Sequence, residues 1–234
     1  MSSQSNTIST TGERMIIGVT GLIGSGKDTI ADYLVTNHKF KRISFAASLK
    51  DAVANVFGWE RDMLEGTTKS SRKWREQVDP WWSVRLGIPE LTPRWVLQQW
   101  GTEVCRANFH DDIWVASVEN KLRQTKDDIV ITDCRFPNEV NAIKSAGGIT
   151  LRANRGPEPE WYDAAKAYNK GPNGNSLWSI SKSKLDRAKI HASEYSSVGL
   201  EYDYHIDNNG SIDDLHNTIS QLLSRHDAKE RLSA

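Results

Sequence analysis

The 234-residue sequence has only two cysteines, Cys105 and Cys134, and they form neither a CxxC pair nor any metal-ligand spacing. So few thiols exclude a disulfide framework and suggest a reducing compartment, with both sulfurs acting as small apolar core groups. The chain also lacks a surplus of either charge: 30 Lys and Arg offset 30 Asp and Glu. Non-specific duplex binding depends on excess cations facing phosphates, so polymeric nucleic acid is disfavoured as a partner. No apolar run approaches the roughly 20 residues a bilayer crossing needs, which argues against a membrane partner. The opening MSSQSNTISTTG lacks the basic-then-apolar order of a secretory leader. Residues 1–13 are therefore expected to be a disordered tail and the protein cytoplasmic.

What is present is ordinary for a soluble globular protein: 38% hydrophobic and 26% charged residues. The length suits one α/β domain, here 14–227, with room for a small mobile part and a short C-terminal tail at 228–234. Short apolar β-branched runs at Met15–Thr20, Phe40–Ala46, Asp128–Thr132, Ile149–Arg152 and Asp203–Asp207 read as strands. Helical spacing covers Lys27–Asn37, Ser48–Trp59, Trp95–Cys105, Ile113–Arg123 and Asn138–Ala146, and Ser211 caps a last helix reaching Ser224. This strand–helix alternation predicts an α/β fold with a mostly parallel sheet flanked by helices. No single period dominates residues 60–92. The polar segment 153–198, with turns at Gly156–Pro157, Gly171–Pro172 and Asn173–Gly174, is long for a plain connection.

Between the first strand and first helix stands GLIGSGK, Gly21 to Lys27, a GxxxxGK phosphate-binding loop in its required context. Gly21, Gly24 and Gly26, with Ser25 between, allow consecutive backbone N–H groups to converge on phosphate oxygens. The helix that follows adds its positive dipole end to the same anion. Lys27 would reach the β- and γ-phosphates of ATP and neutralise charge during transfer. The usual magnesium-binding Ser or Thr is replaced by Asp28, with Thr29 one place later. Either residue is a candidate Mg²⁺ ligand.

Asp133 closes the strand IVITD, where an acidic residue in P-loop enzymes orients the metal's water shell or activates the acceptor. Asp is also common there as a turn cap, but its pairing with the phosphate-binding loop favours the functional role. Arg135 is a phosphate ligand or a partner of Asp133 or Glu139. In the block 93–115, Arg94, Gln98 and Thr102 share one helix side. A guanidinium there suits bidentate capture of a monophosphate and an amide suits a base edge, while Trp95, Leu97 and Val104 read as core. Trp74, Trp81 and Trp82 offer stacking faces for a base, although packing explains each as well. Arg152, Arg155, Lys182, Lys184, Arg187 and Lys189 make 153–198 resemble a lid closing cations over a triphosphate, with Arg155 nearest the donor. His191, lacking a second ligand at suitable spacing, marks no metal site.

Together these elements resemble the bacteriophage-type deoxynucleoside monophosphate kinases. The resemblance rests on GLIGSGKDT (Gly21–Thr29), SFA..LK (Ser44–Lys50), LQ..GTE..R (Leu97–Arg106), DxRFPNE (Asp133–Glu139) and HxSE (His191–Glu194). With the late D.xID strand they span about residues 15–223. Asp-Thr after the lysine is usual in that family. The resemblance implies a P-loop kinase with an acceptor-binding region (about 48–125) and a lid (about 153–198), using ATP and Mg²⁺. It assigns Lys27, Asp28 and Thr29 to the donor site, and Ser44, Lys50, Arg106, Asp133, Arg135 and Glu194 to the acceptor side or transferred phosphoryl. Members can be homodimers. The expected reaction is phosphoryl transfer from ATP to a dNMP. Two alternatives stay open: a kinase for another phosphorylated metabolite, of the dephospho-CoA or phosphomevalonate type, and a non-catalytic nucleotide switch.

Overall fold

The computed structural model describes residues 14–172 and 176–233, the side chains of 227–233 excepted. The tail expected at 1–13 and the turn at Asn173–Gly174 lie outside the described residues. From the first strand the chain runs β1 (Ile16–Thr20), α1 (Lys27–His38), β2 (Lys41–Ile43) and α2 (Ala47–Phe57). Three short helices follow, α3 (Arg61–Glu65), α4 (Lys69–Arg75) and α5 (Pro80–Leu86). Then come α6 (Pro93–Gln98), a π-helix (Gln99–Arg106), α7 (Ile113–Leu122) and β3 (Ile129–Ile131). The chain continues through α8 (Pro137–Ser145), β4 (Ile149–Asn154), α9 (Tyr162–Asn169), α10 (Ser176–Arg187) and α11 (Ala192–Tyr195). It finishes with β5 (Tyr204–Asp207) and α12 (Ile212–Ser233).

The five strands form one sheet in the order β2-β3-β1-β4-β5, and every pairing is parallel. From β1 the chain first builds the β2–β3 side and then crosses to build the β4–β5 side. The carboxyl end of β1 is therefore where the connections diverge, the place at which open α/β sheets bind ligands. Alternation along β1 explains the layers. Ile17 and Val19 face one side with Ile30, Leu34, Leu215 and Ile219. Ile16 faces the other with Val118, Leu122, Val140 and Ile143. Each such buried aliphatic side chain contributes about 1.5–3 kcal/mol.

Strand β2 ends at Ile43, three residues short of the expected Ala46, because the Asp133 carboxylate takes the N–H groups of Phe45 (3.0 Å) and Ala46 (2.9 Å). The stretch 60–92 hides its helices from periodicity because each is under two turns long or barely reaches it. Two of them, α4 and α5, are marked by caps instead. Thr68 Oγ1 accepts from Ser71 N (3.1 Å), and Asp79 Oδ1 accepts from Trp82 N (3.0 Å) ahead of Pro80. Thr92 Oγ1 likewise accepts from Trp95 N (3.1 Å) at the start of α6. The single helix expected at Trp95–Cys105 instead widens into the π-helix, whose Gly101 carbonyl accepts from Trp114 Nε1 (2.9 Å). The wider turn carries Val104 to solvent, 52% exposed, so Val104 is not core.

Leu49, Val53, Leu64, Leu91 and Val96 close a separate apolar cluster under the helices of 47–106. The polar segment 153–198 has a small core of its own, Ala165, Leu185, Tyr195 and Val198. Cys134 is buried, and burial pushes its thiol far up, whereas Cys105 is only half-buried. The last helix continues to Ser233, well past the Ser224 expected. Among the described residues no helix is long and apolar enough to cross a membrane.

Candidate active site

The loop 21–27 leaves β1 at its carboxyl end and enters α1. Gly24 and Gly26 hold φ of 82° and 95°, a region that side-chain-bearing residues resist. Ser25 is 3% exposed, and its Oγ has no hydrogen-bond partner among the described residues. A buried orphan hydroxyl beside the N-terminus of α1 is a feature that phosphate oxygens would satisfy, so the loop fits a nucleoside triphosphate. Lys27 Nζ donates to the carbonyls of Gly21 (2.7 Å) and Leu22 (2.8 Å). Burial and then the nearby Arg135 push its ammonium below the ordinary lysine value. A lysine so destabilised as a cation attracts an anion.

Asp28 lies on the rim. Its side chain is 79% exposed and its Oδ1 is 3.4 Å from Arg42 Nη1 on β2. Arg42 also reaches Asp32 (3.0 Å). Thr29 is half-buried one position on. Among the described residues no group of three or more His, Cys, Asp or Glu forms a metal cage. A kinase-type Mg²⁺ sits mainly on substrate phosphates and water with one or two protein ligands, and Thr29 and Asp28 are the residues that would supply them.

Across from Lys27 lies a cluster of arginines. Arg94, on α6, donates to Glu194 Oε1 (3.2 Å) and Glu76 Oε1 (3.3 Å). Arg135, in the β3–α8 loop, donates to the same Glu194 Oε1 (3.2 Å) and to Ser193 O (3.4 Å). Arg75, at the end of α4, has its pKa lowered by burial and then by Arg94, with Arg135 also contributing. Its buried Nε has no hydrogen-bond partner among the described residues. Its guanidinium lies over Gly66, where a Cβ would stand 2.1 Å from Nη2. Two guanidiniums, those of Arg94 and Arg135, thus share one carboxylate, with Arg75 beside them, where a phosphate dianion would be a better match. His191 joins the cluster. Its Nδ1 accepts from Ser193 N (3.2 Å), leaving Nε2, 3.8 Å from Glu103, without a hydrogen-bond partner.

The Asp133 carboxylate is engaged by the segment that leads into α2. Oδ1 accepts from Phe45 N, and Oδ2 from Ala46 N and from Ser44 Oγ (2.7 Å). The turn-capping alternative is therefore the observed geometry, and Ser44 faces Asp133. Arg106 is buried rather than open to an acceptor. It pairs with buried Glu139, reaches Asp111 O (2.8 Å) and lies over the Phe136 ring at 4.1 Å. Glu139 in turn accepts from the N–H groups of Arg135 (2.7 Å) and Phe136 (3.1 Å). Burial raises its carboxyl to about 7, with Arg106 pulling the other way. The DxRFPNE stretch is thus a frame: its two acids fix neighbouring backbone while Arg135 projects.

Lys50 is tied to Glu65 (2.5 Å) and is 14% exposed; Glu65 also holds Arg61 (2.5 Å). Trp74 packs edge-on against Trp59 at 5.8 Å, and Trp82 donates to Phe57 O (3.1 Å). Only Trp81 of the three candidate stacking residues is largely exposed. Gln98 is half-buried where α6 meets the π-helix. Of the lid cations, Arg152 pairs with Glu158 (2.5 Å) and Lys182 with Asp186, both within their own segment. Arg155, Lys184, Arg187 and Lys189 are exposed. Two of the six are thus engaged by nearby carboxylates and four face solvent. Sequence reasoning missed Arg75, whose only signal was the cation-rich run KSSRKWR at 69–75.

No family model matches the sequence. A protein of Acanthamoeba polyphaga mimivirus named as a deoxynucleotide monophosphate kinase is 31% identical over 154 residues, 60% of this chain and 74% of the relative. The deoxynucleoside-5'-monophosphate kinase of Escherichia phage T5 is 23% identical over 192 residues, 58% of this chain and 74% of the relative. Among solved structures, shikimate kinase from Aquifex aeolicus aligns with TM-score 0.42 and 14% identity over 90% of this chain and 96% of that one. Dephospho-CoA kinase from Campylobacter jejuni aligns with TM-score 0.40 and 15% identity over 92% and 98%. These two structural likenesses are too distant to bear on the chemistry.

Proposed function

Because the chain belongs to the deoxynucleotide monophosphate kinase family, we propose that it transfers the γ-phosphoryl group of ATP to a deoxynucleoside monophosphate, giving dNDP and ADP. The observation that carries this reading is the meeting of two cationic groups: Lys27 on the donor loop with Arg135 near it, and Arg94, joined to Arg135 through the shared Glu194 carboxylate, with Arg75 beside them. Like charges held this close call for an anion between them, which two phosphates meeting end to end provide.

The acceptor phosphate takes the place of the Glu194 carboxylate on Arg94 and Arg135. One of its oxygens attacks the γ-phosphorus in line, and the bond to the β–γ bridging oxygen breaks, leaving ADP. A phosphate monoester needs little base assistance at neutral pH, so positioning and charge neutralisation supply most of the acceleration. Lys27 moves from the carbonyls of residues 21 and 22 onto the transferring group. Arg135 neutralises the same charge from the acceptor side, and Glu139 holds its backbone. Magnesium, held through Thr29 or Asp28, would neutralise the β- and γ-oxygens. Arg155 leaves the same sheet edge two residues past Ala153, whose carbonyl abuts Gly21, and a donor-side role for it requires the segment 153–198 to move inward.

The test is ADP release with ATP and Mg²⁺ against dAMP, dGMP, dCMP, dTMP, their ribose counterparts, dephospho-CoA, phosphomevalonate and no acceptor. Release that depends on a deoxynucleotide, and that is nearly abolished in Lys27→Ala, supports the proposal. Release indifferent to acceptor points to a switch or ATPase. Release only with dephospho-CoA or phosphomevalonate reassigns the acceptor. Small nucleotides in the cytoplasm are the partners this reading requires, and light scattering tests whether the enzyme is a homodimer.

A further inference from the structure

The turn after β5 carries two asparagines that the chemistry above does not use. Asn208 is 7% exposed, and its Nδ2 donates to the carbonyl of Ser25, inside the donor loop, at 2.9 Å. The two residues are 183 positions apart in sequence. The turn is itself fixed at several points. Asn208 N donates to Asn154 O (2.8 Å), extending the β4–β5 ladder by one rung. Asn209 accepts from Gly156 N (2.8 Å), and its own N–H (3.0 Å) and Nδ2 (2.5 Å) donate to Asp207 Oδ1. The Asn208 amide is thus presented from a rigid support.

A trans peptide holds its C=O and the following N–H antiparallel. Anchoring the Ser25 carbonyl to Asn208 therefore aims the Gly26 N–H to the opposite side, toward the concave face of the loop that receives phosphate. Gly26 bears the imprint of the same contact, since a Cβ there would stand 2.1 Å from Asn208 Nδ2. Its glycine is required by φ and by the asparagine together.

We infer that Asn208 is a positioning residue for the donor site: its side-chain amide sets the Ser25–Gly26 peptide plane so that the Gly26 N–H is pre-aimed at the triphosphate. The inference rests on the donor-loop reading above. Only a donor serves here. A carboxylate at 208 would set oxygen against the Ser25 carbonyl and add negative charge behind the phosphates.

The experiment compares wild type, N208A and N208D, with N217A on the exposed face of α12 as control. ATP and dNMP affinities are measured separately by calorimetry, with steady-state KM for each and Tm. The expected result is KM and Kd for ATP about tenfold higher in N208A, the size of one neutral hydrogen bond, with dNMP binding unchanged. N208D, nearly isosteric, should weaken ATP further while dNMP binding still holds. ATP affinity equal to wild type in either folded variant overturns the inference. So does a loss that falls equally on ATP and dNMP alongside a lower Tm, which is the mark of a purely structural residue. Should N208A fail to fold, N208D alone decides between these outcomes. Failure of wild type to bind ATP would instead remove the donor-site reading itself.

Discussion

Replacing Asp133 by alanine separates a cap from a catalyst. The carboxylate holds three donors: Ser44 Oγ at 2.7 Å, Phe45 N at 3.0 Å and Ala46 N at 2.9 Å. Hydrogen bonds to a charged group contribute about 1.5–3 kcal/mol each, but the site is half-exposed and water replaces part of the loss. A net cost of about 2–4 kcal/mol follows for Asp133→Ala, mostly from two backbone N–H groups left without acceptors where α2 begins. For a chain of this size that corresponds to a Tm lower by roughly 5–15 °C. Asp133→Asn, which sets an NH₂ against at least one of those donors, should fall between the variant and wild type. Circular dichroism melts and urea titrations read the stability, and turnover is measured well below the melting point. An Asp133→Ala enzyme with unchanged Tm and collapsed kcat would refute the capping argument and make this carboxylate a participant in the reaction.

Arg106→Met removes the cation that favours the ionised form of Glu139, leaving a buried carboxyl that must take up a proton or stay unpaired. Urea unfolding should report a loss of about 3–5 kcal/mol, largely restored when Glu139→Gln is added. Glu194→Gln removes the negative charge that bridges Arg94 and Arg135. The KM for the dNMP should fall a few-fold while that for ATP stays constant, as read by initial rates. Burial lowers the pKa of His191 from its usual value, against the pull of Glu103 and Glu194. The native state therefore binds fewer protons than the unfolded one. The stabilising effect is complete above the unfolded value, about 6.5, and is lost as pH falls through the folded value. His191→Asn, which keeps a cap for α11, should show a smaller drop in Tm between pH 7 and pH 5 than wild type.

Much of the molecule was legible because its signals are local. The run MIIGVTGLIGSGK places a buried strand, a glycine turn and a helix start within a dozen residues, and each follows from short-range backbone chemistry. Strand–helix alternation likewise implied the parallel sheet. The short helices α4 and α5 escaped because their evidence lies in the caps Thr68 and Asp79 rather than in a period. The break at the π-helix escaped because Trp114, an outside donor to Gly101, leaves no mark on the local pattern.

The sequence by itself determined the donor loop, the sheet and the identity of the residues able to meet phosphate. Only the tertiary structure decided which of them face one another. Arg94 meets Glu194 across 100 positions and Asn208 meets Ser25 across 183, distances at which no periodicity or spacing rule operates. Arg106, Lys50 and Asp133 carry the right chemistry for a site, yet the fold supplies each with a protein partner. The packing of α4 and the β3–α8 loop instead brings Arg75 and Arg135 together with Arg94, and puts Arg135 near Lys27. A side chain's chemistry is fixed by its covalent structure, whereas its partner is fixed by which elements the hydrophobic core brings together.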